Sequence, residues 1–125
     1  MRGFGNGSVS SGTVHASESL LGTVNVVNDD TLVLWVDYSK GDEAGVYLVP
    51  KLKPTGSGTE HDYMEWSSDA ASTRTAKRFY LTASCRAYIS LDVSGVSQVR
   101  VYDEADGGTP TGVLGVDFTV QRSSS

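Results

Sequence analysis

At 125 residues, with 38% hydrophobic and 20% charged side chains, the chain has the size and balance of one globular domain. Its formal net charge of −5 disfavours a nucleic-acid backbone or an anionic membrane as a main partner. The lone cysteine excludes an internal disulfide, and no histidine stands near it in a recognisable hydrolase context.

Residues 1–12 are mostly glycine, serine and asparagine, with Phe4 and Val9 as the hydrophobic handles. Ordering such backbone costs roughly 1–2 kcal/mol per residue, so a flexible arm that orders only against a partner is expected. No secretory signal is read in this stretch and no run reaches membrane-spanning length, which points to synthesis in a reducing cytoplasm.

From residue 13 to residue 121 short strand candidates follow one another, separated by turn clusters. Leu20 to Val27 holds Gly22, a bulge or close-approach point. Thr31 to Tyr38 is the strongest of them: Leu32, Leu34, Val36 and Tyr38 share one face, and Val33 and Trp35 the other. A strand apolar on both faces belongs in the middle of a sheet, which makes Trp35 a candidate core residue. Val46 to Lys53 is interrupted by Pro50, so it lies at an edge or bends there. Glu60 to Trp66 alternates polar and aromatic residues, and residues 67–75 form a loop or one helical turn. Ala87, Ile89 and Leu91 face inward, opposite Tyr88. Val99 and Val101 alternate with Arg100 and Tyr102. Leu114, Val116, Phe118 and Val120 close the fold, and residues 122–125 form a polar tail.

Eight or nine short strands without a long helix predict an all-β, single-domain antiparallel β-sandwich. A jelly roll fits the strand number better than the immunoglobulin-like alternative.

Candidate chemistry is sparse. The acidic loops Asp37–Glu43 and Asp103–Gly108 lack the ligand spacing of a calcium loop and read as turns. Glu60, Asp62 and Glu65 alternate with aromatics as a solvated strand face does, not as a glycosidase pair. The glycines of 107–112 precede a strand, leaving no helix N-terminus for a phosphate. Catalytic residues, cofactor and metal are all expected to be absent. Phe4, Val9, Tyr63 and Trp66 remain as interface candidates, Tyr63 and Trp66 also as a sugar-stacking pair.

Asp92-Val93-Ser94-Gly95-Val96-Ser97-Gln98-Val99-Arg100-Val101-Tyr102, followed by Gly107-Gly108-Thr109-Pro110-Thr111-Gly112, resembles small accessory virion proteins of tailed bacteriophages. Trp35 to Glu43 is a second matching patch. The resemblance implies a β-sandwich that acts as a capsid decoration (cement) protein on the virion surface. Its partner would be the major capsid protein or other virion proteins. Separately, weak contacts of the N-terminal arm would reinforce one another if copies meet around a symmetry axis, so a homo-oligomer is expected, with a trimer favoured. The alternatives are a tail, neck or fibre component and a carbohydrate-binding host-attachment module. No direct nucleic-acid or membrane contact and no enzyme activity are implied.

Overall fold

A computed structural model describes residues 2–65, 75, 76 and 78–123. Strands β1 (Arg2–Thr13), β11 (Val113–Ser123), β3 (Thr31–Ser39) and β9 (Cys85–Asp92) form one antiparallel sheet in that order. The second sheet runs β2 (Ser19–Asn25), β10 (Gln98–Ala105), β4 (Val46–Lys53). Two short strands, β5 (His61–Asp62) and β8 (Phe79–Leu81), share the far side of β4. A separate two-stranded ribbon pairs β6 (Met64–Glu65) with β7 (Thr75–Ala76).

If β5 and β8 count as one position, the eight positions run 1-8-3-6 in one sheet and 2-7-4-5 in the other. That is the strand order of a jelly roll, and it decides against the immunoglobulin-like alternative.

β3 lies between β11 and β9, and Leu32, Leu34, Val36 and Tyr38 are all buried. They join Leu91, Leu114 and Val116 of their own sheet, and Val46, Leu48, Val99 and Val101 of the other, in one cluster. Each such side chain contributes about 1.5–3 kcal/mol on burial. The other face of β3 is not covered: Trp35 is 48% exposed. The central place of the strand was readable, but an antiparallel sheet can keep one face in water, and this one does.

The N-terminal residues also differ from expectation. Residues 2–13 form β1, an edge strand paired along β11 from Arg2–Ser123 to Thr13–Val113. Backbone hydrogen bonding supplies what Phe4 and Val9 alone lack. Glycine suits the fit: a Cβ on Gly5 would stand 2.9 Å from Val120 Cγ2, and one on Gly7 2.8 Å from the Phe118 ring, so either would push its neighbour's side chain aside. β1 shifts register between Ser8 and Ser10, at Val9. β11 continues to Ser123 because β1 pairs with it there, into residues read as a polar tail.

Gly22 has both properties assigned to it. The ladder shifts between Leu20 and Gly22, and a Cβ on Gly22 would lie 2.8 Å from the Val9 carbonyl oxygen. Pro50 falls where β8 has ended and β5 has not begun, so the outer side of β4 is interrupted at the residue that has no N–H.

Candidate functional site

The acidic loop after β3 is a structural latch. The Tyr38 hydroxyl (2.5 Å) and the Gly41 N–H (3.0 Å) donate to Glu43 Oε2, and the Thr111 and Gly112 N–H groups donate to Oε1 at 3.0 Å each. Four donors occupy the lone pairs that a cation would need. Burial alone would raise the Glu43 carboxyl. The bonds from Tyr38 and from the backbone outweigh it and bring the group down to about 2, while the Tyr38 hydroxyl is pushed up by burial and by Glu43. A Cβ on Gly112 would stand 2.1 Å from Glu43 Oε2, so that position admits glycine alone. The two stretches that carried the phage resemblance, Trp35–Glu43 and Gly107–Gly112, therefore meet at Glu43.

Asp103, also buried, accepts from the His15 backbone N–H at 3.2 Å and lies 2.8 Å from His15 Nδ1. Burial raises its carboxyl, and the His15 contacts offset part of that rise. No serine, threonine or cysteine among the described residues hydrogen-bonds to His15. The pair fastens the β1–β2 connection to β10. Among the described residues, no three histidine, cysteine or acidic side chains are placed to share a metal ion.

The aromatics on the outside of the second sheet are engaged by their neighbours. Tyr47 stacks on Tyr80 at 4.4 Å between centroids, with the Arg78 guanidinium 3.8 Å over Tyr47 and bonded to Glu104. The Tyr80 hydroxyl donates to Asp106. Tyr102 donates to Glu60, which is also paired with Arg100 at 2.9 Å. The Tyr102 bond and the charges of Arg100 and Lys51 hold the Glu60 carboxyl below its ordinary range despite partial burial. The Tyr102 and Arg100 contacts both fall on Glu60 Oε2.

The outer face of the first sheet is different. Trp35 on β3 lies beside Tyr88 on β9, with centroids 5.6 Å apart and planes tilted by 39°. Trp35 Nε1 donates to Thr119 Oγ1 on β11 at 3.0 Å, which fixes the indole while leaving its ring half exposed. Tyr88 is 66% exposed. Beside Trp35 a cleft of about 480 Å³ opens towards Ser10 and Ser11, with Asp37, Arg86, Gly115 and Asp117 around it. Two exposed rings on a rigid sheet, rimmed by donors and acceptors, make this the strongest candidate binding surface.

The residues singled out from sequence do not assemble into one site. Phe4 sits in β1 opposite Gln121, and Val9 is half-buried against the core at the β1 bulge. Tyr63, between β5 and β6, also packs partly against the core, and Trp66 lies outside the described residues. The alternation places Tyr88 on the outward side, as found, but Trp35 is exposed where a core residue is expected, and neither is among the interface candidates. Each alternates with side chains that the same reading had turned inward.

The fold and this face together define a jelly-roll domain with an exposed aromatic platform. No family model matches the chain, and no curated protein matches its sequence. Solved structures do match it in fold. The SPBc2 prophage-derived protein YomS is 12% identical with a TM-score of 0.61, over 97% of this chain and 95% of that one. A protein of Bacillus endospore appendages, which form disulfide-linked pili, is 12% identical with a TM-score of 0.55, over 98% and 92%. A chain of infectious bursal disease virus, Gx strain, is 9% identical with a TM-score of 0.52, and the match spans 100% of this chain but 33% of that one. At these identities the likeness is one of fold.

Proposed function

We propose that the protein is a non-enzymatic structural component of a phage particle and, within that class, a capsid decoration protein that bridges and stabilises neighbouring coat subunits. The observation that carries this reading is the edge of the four-stranded sheet. β1 is twelve residues long and lies at that edge. An edge strand offers N–H and C=O groups to a neighbouring chain, and proteins that must stay apart blunt such edges with charge or proline. From Gly3 to Thr13 there is neither, and the bulge at Val9 is the one protective feature. Strand addition along β1 is thus a ready means of joining a coat subunit or a second copy.

Further support comes from the near end-to-end likeness to a prophage-derived protein, and from the use of a similar domain in a pilus and a virus. In this reading the chain assembles as a homo-oligomer, with a trimer favoured, and its partner is the major capsid protein or another virion protein. The test is cosedimentation of the purified chain with separated heads and tails of the particles produced by its encoding genome. Saturable binding to heads, in copy numbers that follow the coat lattice, is the expected result. Binding to tails alone would move the protein to the tail, neck or fibre, and binding to neither would overturn the reading.

A further inference from the structure

The cleft beside Trp35 is built by a missing side chain. In register across the sheet, Ser8, Asp117, Trp35 and Tyr88 form one row, and Ser11, Gly115, Asp37 and Arg86 form the next. Neighbouring strands lie about 5 Å apart, so a row position without a side chain leaves room for one six-membered ring. Gly115 is that position: a Cβ placed there would meet nothing nearer than the Asp37 carbonyl oxygen at 3.8 Å.

We infer that this cleft is a binding site for a neutral saccharide, held with one pyranose ring against Trp35 over Gly115. A sugar ring presents an apolar C–H face and a rim of hydroxyl groups, each both donor and acceptor. The cleft supplies the complement of both. Trp35 has its one polar atom bonded to Thr119, so what it exposes is the apolar ring system. Around it stand the Asp37 and Asp117 carboxylates as acceptors, the Arg86 guanidinium as donor, and the Ser11 hydroxyl as either. Arg86 Nε lies 3.5 Å from Asp37 Oδ2, which leaves its terminal nitrogens for a ligand.

Charge selects among ligands. Two carboxylates against one guanidinium leave the cleft with a formal charge of −1 (Asp37 and Asp117, less Arg86), within a chain of net charge −5. Sialic and uronic acids, and the phosphates of a nucleotide, are repelled there, whereas neutral hexoses and N-acetylhexosamines are not. An open cleft of this size holds one or two sugar units weakly. Many copies on one surface would raise the effective affinity by roughly 10²–10⁴ against a dense glycan.

The test is titration of the full chain, isotopically labelled, with neutral hexose and N-acetylhexosamine oligosaccharides and with acidic counterparts carrying sialic or uronic acid. The expected result is saturable shifts of the Trp35 indole, Gly115 and Arg86 signals by at least one neutral sugar, with acidic sugars weaker by about tenfold or more. Trp35→Ala and Gly115→Val should each abolish binding, the second by filling the cleft while Trp35 stays in place. Thermal unfolding would show that both variants remain folded. No saturable shift with any neutral sugar, shifts that map to another face, or undiminished binding by Gly115→Val would overturn the proposal. So would a particle map in which a coat subunit buries Trp35, which would make this face a protein interface.

Discussion

Leu34 and Trp35 are neighbours in sequence with opposite surroundings, since one residue along a strand turns the side chain through the sheet. Leu34 is 1% exposed, so Leu34→Ala should cost about 2–5 kcal/mol. Trp35→Ala removes a half-exposed ring and one hydrogen bond, and should cost about 1 kcal/mol or less. Denaturant unfolding of the two variants checks the pair, and a Trp35 loss near 3 kcal/mol would mean that the outer face is covered. Glu43 makes a pH-dependent prediction. Its carboxyl is lowered from 4.5 in the unfolded chain to about 2 in the fold. Its stabilisation is therefore present above about pH 4.5 and is lost as the pH falls from there through 2. Glu43→Ala strands four donors and should cost about 3 kcal/mol or more at pH 7. The gap from the parent should narrow steadily between pH 4.5 and 2, and a gap independent of pH would refute the latch. Asp103 has the opposite sign, because its carboxyl is raised: its contribution is present below pH 3.8 and lost as the pH rises through the folded value. The latch itself was not legible in the sequence. Glu43 reads as one acidic turn residue among several, and two of its four donors come from residues 111 and 112, far away in the chain.

At the scale of elements, β1 shows what composition conceals. A glycine- and serine-rich stretch lacks the apolar area to order itself, and that argument holds for an isolated chain. Gly3, Gly5 and Gly7 nevertheless recur with period two, the period of a strand, and they stand opposite Arg122, Val120 and Phe118. The alternation was the readable signal: a strand that leaves one side empty because its neighbour's side chains fill it. Gly7→Val should thus drive β1 from β11 by collision with Phe118. Hydrogen exchange would show protection lost in residues 2–13 and along the β1-facing amides of β11, with β3 and β9 still protected. Unchanged protection in β1 would mean that the glycines are not needed for the fit. The other strands were more legible because their apolar residues alternate: Leu32 to Tyr38 and Leu114 to Val120 each mark a buried face. Pairing was not legible, since strand order depends on contacts that no single segment contains.

For the whole molecule, strand number and turn spacing favour a jelly roll, but its 1-8-3-6 and 2-7-4-5 order is set by pairings between strands far apart in the chain. The same topology leaves two separate surfaces open, the β1 edge, proposed for assembly, and the Trp35–Tyr88 face, proposed for a small ligand. A building block that presents a binding face outward must be attached elsewhere, and in the proposed reading the β1 edge is that attachment. The most direct test of the structural role is an electron-microscopy map of the particles made by the encoding genome, at a resolution that separates strands. The account predicts jelly-roll density at repeated positions on the capsid surface, with β1 continued by a strand of a neighbouring subunit and Trp35 facing solvent. Particles that carry no such density on head or tail would contradict it.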